Sequence, residues 1–149
     1  MRRSLLAIIV LGCALSAPSI AGAQAEEQVL RETPRVRAVV ERYPHGLKFN
    51  DTTSFHAAFW PDAKLMWIKR DGIIGQLSQA EWYKSFVASA GKEEEGTLGI
   101  ESISVTGNVA SVKVLEIYPK SVYIDYLNML RIGDEWRIVN KIYTSHPRP

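Results

Sequence analysis

The sequence predicts an α+β fold, with helices first and an antiparallel sheet last. Three observations carry that expectation: apolar residues at helical spacing before Gly91, four β-rich runs after Gly96, and very short turn signals between those runs.

Each element has a local reason. Thr33-Pro34 places an N-cap candidate before a proline at the first helical position, where a missing N–H costs nothing. Val36, Val39, Val40 and Tyr43 follow at helical spacing until Pro44, and residues 44–50 read as a loop. Asn50 or Asp51 caps a short helix holding Phe55, Ala58 and Phe59, which ends at Trp60-Pro61-Asp62. Residues 64–69 read as a short strand closed by Asp71-Gly72. Ser78 with Glu81 three residues later forms a capping box for a helix presenting Trp82, Tyr83, Phe86, Val87 and Ala90, with Gly91 as its C-cap. Residues 97–106, 109–118, 121–132 and 135–144 then read as strands, and their short turns force an antiparallel meander.

Alternation assigns the faces. Tyr123, Asp125, Leu127 and Met129 share one face of the third meander strand, and Val122, Ile124, Tyr126, Asn128 and Leu130 share the other. In the last strand Trp136, Ile138, Asn140 and Ile142 lie opposite Arg137, Val139, Lys141 and Tyr143. Both faces of the third strand are substantially apolar, whereas a sheet with helices on one side should leave the other polar. A symmetric partner sheet would cover the second face, so a homodimer through the sheet is expected; an apolar pocket wall is the alternative source of the pattern.

The N-terminus reads as an address. Arg2 and Arg3 precede the apolar run Leu5 to Leu15 and the small-residue sites Ala21-Gly22-Ala23 and Ala23-Gln24-Ala25, the pattern of a cleaved signal peptide over residues 1–23. The formal charge of +2 belongs to those two arginines, because the remainder carries sixteen basic and sixteen acidic side chains. A net-neutral chain whose longest basic run is Lys69-Arg70 is not a nucleic-acid binder on composition. No later segment has the length of a transmembrane helix. The single cysteine, Cys13, leaves with the signal peptide, so the fold stands on packing alone. Secretion or periplasmic residence is expected; anchoring as a lipoprotein through Cys13 is the alternative, since Val10-Leu11-Gly12-Cys13 looks like a degraded lipobox. Residues 24–32 form a flexible lead-in, 33–144 a single domain and 145–149 a tail.

Asp125 is the sharpest polar candidate, a carboxylate in mid-strand between Tyr123 and Leu127, where burial without a partner is costly. It suits a proton-transfer role beside a carbonyl; the alternative is a structural carboxylate bonded to a tyrosine, an asparagine or Lys141. His56, on the short helix, either reaches the pocket mouth or packs. His45 and His146 read as loop and tail residues, and the histidine spacing makes no metal site. Trp60, Trp67, Trp82, Tyr83 and Tyr126 are candidate ligand-contacting rings against a core alternative, and Asn140 is a polar residue wanting a partner. Gly-rich phosphate loops, His-Glu-x-x-His and serine elbows are absent.

Phe59-Trp60-Pro61-Asp62-Ala63-Lys64-Leu65, Ser78-Gln79-Ala80-Glu81-Trp82, Asp125 to Leu130 and Trp136 to Lys141 together resemble the putative lumazine-binding group of the nuclear-transport-factor-2-like (NTF2-like) superfamily, alongside SnoaL-type cyclases and ketosteroid isomerase. The resemblance implies an NTF2-like cone, with N-terminal helices on a strongly curved, mainly antiparallel sheet and a pocket between them. It implies frequent homodimers through the outer sheet, and likeness to ketosteroid isomerase implies an acid–base pair of Asp125 with a tyrosine such as Tyr123; His56, by its own position, is the other candidate to polarise a substrate beside Asp125. Where members usually carry histidine before Pro61-Asp62, this chain has Trp60, which can only donate one hydrogen bond. The leading expectation is an exported protein that binds a small apolar or aromatic molecule, with no cofactor. The alternatives are a cofactor-free isomerase or dehydratase with an Asp base, and a non-catalytic dimerisation module.

Overall fold

The computed structural model describes residues 20–148. The expected signal peptide and Cys13 fall wholly or largely outside the described residues. Three helices, α1 (Ile20–Val40), α2 (Arg42–Phe49) and α3 (Thr52–Ala58), precede strands β1 (Phe59–Ile68) and β2 (Ile74–Ser78). Helix α4 (Gln79–Tyr83) runs into a 3-10 helix (Lys84–Ser89). The meander follows as β3 (Thr97–Thr106), β4 (Val109–Ile117), β5 (Ser121–Ile132) and β6 (Glu135–Pro147).

The strands form one six-stranded sheet in the order β2-β1-β6-β5-β4-β3. All neighbours are antiparallel except β1 and β6, so the sheet is mixed. The helices cover one face. Val36, Val40, Tyr43, Phe55 and Ala58 from the helices pack on Phe59, Val112, Val114, Leu127, Met129, Trp136 and Ile138 from the strands. The α+β expectation and the four-strand meander hold.

Several local expectations are corrected. Residues 24–32 are helical, and α1 continues through Pro34 with Thr33 Oγ1 bonded to the Val29 carbonyl at 2.7 Å. Pro44 lies inside α2 instead of ending a helix, because a proline in the first turn forfeits only an N–H that has no helical partner. Asn50, in the left-handed region at φ 51°, closes that helix. The helix after Ser78 keeps its capping box but soon tightens to 3-10 geometry, so Val87 is exposed. Strand β2 has no counterpart in the sequence reading, and His146 lies in β6 rather than a tail.

The most consequential correction is a bulge. Asn128 pairs with Asn140 but Met129 pairs with Ile138, which leaves Val139 as an extra residue in β6. Before it, Trp136 and Ile138 face the helices; beyond it, Lys141 turns inward and becomes buried while Ile142 is exposed. Strict alternation had put Asn140 and Ile142 on the face of Trp136 and Ile138.

Candidate active site and ligand cavity

The inward faces of three strands converge near one end of the sheet. On β4, Val112, Val114 and Glu116 are buried in alternation, and Val114 pairs with Asp125 on β5. Asp125 faces inward with Leu127 and Met129, as alternation predicted, and is fully buried. The bulged β6 delivers Lys141 beside it, and α2 lowers Tyr43 onto both.

The four groups make one hydrogen-bonded cluster. Tyr43 Oη lies 2.5 Å from Asp125 Oδ2 and 2.8 Å from Glu116 Oε1. Lys141 Nζ is 2.7 Å from Asp125 Oδ2 and 3.8 Å from Glu116 Oε1, and it also donates to Tyr43 Oη. Tyr118 Oη donates to Glu116 Oε2 at 3.2 Å. The ammonium of Lys141 stands over the rings of Tyr43, Trp82 and Tyr143 at 5.0, 5.6 and 4.8 Å, a second attraction for a buried cation.

Burial pushes the Glu116 carboxyl up to about 8, with Asp125 adding to the rise and Lys141 opposing it. Tyr43 is held well above the ordinary phenol range, first by burial and then by the charges of Asp125 and Glu116. Tyr118 and Tyr143 are also raised, in both cases mainly by burial.

Glu116 and Lys141 border a cavity of about 800 Å³ between helices and sheet. Its apolar lining comes from Leu47, Leu65, Trp82, Phe86, Tyr123 and Tyr143. Glu93, Glu94, Glu95 and Lys120 also contribute to its lining. The helical wall is braced by aromatic packing: Phe55 lies 4.6 Å from Trp82 and 4.8 Å from Phe86, centroid to centroid. That packing needs a glycine at residue 46, since a Cβ there would come within 2.4 Å of the Phe55 ring.

The residues singled out from sequence do not gather in one place. Trp82 and Tyr123 line the cavity. Asp125 lies behind its wall, paired with Lys141 and Tyr43 and not with Tyr123 or His56. His56 is exposed and packs edge-on against Tyr83, centroids 4.6 Å apart, so neither belongs to the cavity lining. Burial raises the Tyr83 phenol, which donates to Gln79 Oε1 at 2.7 Å. Trp60 is exposed on β1, and its carbonyl accepts from Gln79. Asn140 meets Asn128 at 3.1 Å and the Lys64 carbonyl at 3.2 Å. Trp67 and Tyr126 line a different groove, of about 400 Å³, with Met66, Ile68, Ile74 and Ile142.

Two members of the cluster escaped the sequence reading. Glu116 was legible, because it continues the Val112-Val114 alternation onto the buried face. Tyr43 was legible only as a core position, since its partner Asp125 lies 82 residues away. Among the described residues no three His, Cys, Asp or Glu side chains gather as a metal ion would require. Likewise, no helix among them is long and apolar enough to cross a membrane.

Comparison with known proteins agrees with this architecture. The family model described as "Putative lumazine-binding" matches residues 31–144. An NTF2-like protein of unknown function from Shewanella baltica is similar at TM-score 0.72 and 22% identity, over 80% of this chain and 97% of that one. A second, from Silicibacter pomeroyi, reaches TM-score 0.69 and 23% identity over 79% and 98% of the two chains. A ketosteroid isomerase-like protein from Erwinia carotovora atroseptica reaches 0.59 at 13% identity, over 79% and 98%. No curated protein matches the sequence.

Proposed function

The chain belongs to the Putative lumazine-binding family, and from that premise we propose that it binds a small, largely apolar or aromatic molecule in the cavity between helices and sheet. The cavity itself carries the reading. Its volume of about 800 Å³ falls in the range of ligand sites, and aromatic and aliphatic side chains (Leu47, Leu65, Trp82, Phe86, Tyr123 and Tyr143) form one part of a lining that polar and charged groups complete. Among those polar groups Glu116 stands on β4, Tyr118 just beyond it and Lys141 on β6.

Isomerase or dehydratase chemistry with Asp125 as base has less support. A base must reach the proton it removes, and Asp125 is fully buried, ion-paired and outside the cavity lining. Export remains part of the proposal, on the signal-peptide pattern of the first 23 residues. So does a homodimer through the face opposite the helices, where Ile68 is 66% and Ile74 59% exposed beside Tyr126 and Ile142.

Native mass spectrometry of the full chain, incubated with a small-molecule extract of the cells that make it, tests the reading. A retained small molecule that is lost in Trp82→Ala is expected. Absence of any retained species, or retention unchanged in Trp82→Ala, would sink it. N-terminal sequencing of the exported form should begin at Gln24 or Glu26; an intact Met1 would refute cleavage.

A further inference from the structure

Beside the cavity one phenolic proton faces two carboxyl groups. Tyr43 Oη is within hydrogen-bond distance of both Asp125 Oδ2, at 2.5 Å, and Glu116 Oε1, at 2.8 Å, and it accepts from Lys141. The ammonium brings its own proton, but a phenol has only one to give. One of the two carboxyl groups must therefore be protonated. Lys141 decides which, because its nitrogen is 2.7 Å from Asp125 and 3.8 Å from Glu116. The ion pair belongs to Asp125 and the proton to Glu116.

The hydrogen bonds then run in one direction. Tyr118 donates to Glu116 Oε2 and Tyr43 donates to Asp125, which also receives Lys141; a proton on Glu116 Oε1 lets it donate to Tyr43 across their 2.8 Å contact. So arranged, the buried cluster is electrically neutral. With both carboxyls ionised it would hold a net negative charge among aromatic rings, at a large desolvation cost. The rise of the Glu116 carboxyl on burial agrees with this arrangement.

Asp125 and Tyr43 occupy two of the three N–H groups of Lys141, which itself lines the cavity. We propose that the cavity takes a planar aromatic ligand bearing an oxygen acceptor, a carbonyl or an oxyanion, at the remaining N–H of Lys141, and that it does so while Glu116 holds its proton. This deepens the small-molecule reading and rests on it. Ionisation of Glu116 would set a negative charge beside the acceptor oxygen and divide Lys141 between two carboxylates, so affinity falls as that proton is lost.

Other titratable groups surround Glu116. Tyr43 faces it from α2, Tyr118 from the turn just after β4, Asp125 and Tyr123 from β5, and Lys141 and Tyr143 from β6; Glu93, Glu94, Glu95 and Lys120 also line the cavity. Tyr43, Tyr118 and Tyr143 are all displaced upward, so they keep their protons where Glu116 exchanges its own.

The probes are 2-acetonaphthone, a neutral carbonyl; 2-naphthoate, an oxyanion; and 2-ethylnaphthalene, which has a similar shape and no acceptor. Titration calorimetry on the full chain should show both oxygen-bearing probes binding about tenfold or more tightly than 2-ethylnaphthalene at about pH 6.5. Their affinity should fall about tenfold between pH 7 and pH 9, while 2-ethylnaphthalene stays level. Glu116→Gln should abolish the fall. Independently of that variant's folding, the infrared spectrum of the wild-type protein at neutral pH should contain a protonated-carboxyl C=O band that fades toward pH 9. If 2-ethylnaphthalene alone binds, or binds as tightly as the others, the cavity reading stands and the acceptor inference fails. A flat pH profile for the oxygen-bearing probes, or an absent band, overturns the role of Glu116. If no probe binds, both readings are overturned.

Discussion

Replacing Lys141 by methionine isolates the charge of a buried ion pair while keeping the length of its stem. Lys141 is only 5% exposed and Asp125 fully buried, with 2.7 Å between nitrogen and oxygen, so water cannot take over the lost contact. In the variant Asp125 keeps Tyr43 as a donor but loses the cation it pairs with. Removing one partner of such a pair typically costs about 3–5 kcal/mol, because the remaining charge is stranded rather than because the pair was strongly stabilising. For a domain of this size that is a fall in Tm of about 10–20 °C. Urea unfolding of the two proteins, with midpoints converted at a common slope, measures the loss. The double variant Asp125→Asn with Lys141→Met separates the causes: it should be more stable than Lys141→Met alone, since the stranded charge is gone. A loss below about 1 kcal/mol in the single variant, or a double variant less stable than it, would refute the stranded-charge argument.

Two further outcomes follow from other parts of the molecule. Glu32 on α1 is fully buried, accepting from Trp136 Nε1 at 2.9 Å and pairing with Arg35 at 3.0 Å and Arg131 at 3.3 Å. Its replacement by alanine should cost about 2–4 kcal/mol in urea unfolding. The Trp136 hydrogen bond, helped by Arg31, Arg35 and Arg131, holds the carboxyl below its usual value of 4.5 against the opposing effect of burial. A lowered carboxyl contributes stability that is present above about pH 4.5 and lost as pH falls further, so the acid limb of Glu32→Ala should be shallower than that of the wild type; equal limbs would contradict it. On the opposite face of the sheet, sedimentation should show the wild type as a dimer and Ile142→Arg, at a half-exposed position, as a monomer. A wild-type monomer at all accessible concentrations would remove the dimer from the proposal.

The two halves of the candidate site differ in how far they were legible. Asp125 was found by counting, since strand alternation has a period of two and nothing interrupts β5 between Val122 and Asn128. Glu116 obeys the same rule on β4 and could have been found the same way. Lys141 could be named as a partner for Asp125 but was assigned the face opposite Trp136 and Ile138, because one extra residue at Val139 inverts every side chain beyond it. His56 and the rings of Trp60 and Tyr83 were singled out by residue type alone, and they lie outside the cavity lining. Residue type tells what a side chain can do, not what it faces.

Local chemistry determined the parts of this protein that close within a few residues. Examples are the Ser78–Glu81 capping box, the meander with its short turns and the inward face of β5. The family, too, was legible, because its pattern spreads over nearly the whole domain. Only the tertiary structure decided that α1 runs on through Pro34, that β1 lies parallel to β6, and that Tyr43 and Asp125 are hydrogen-bonded across 82 residues. Those outcomes depend on free energies gained between elements: buried apolar area, and the need to give each buried charge a partner. Neither quantity exists until the chain has folded.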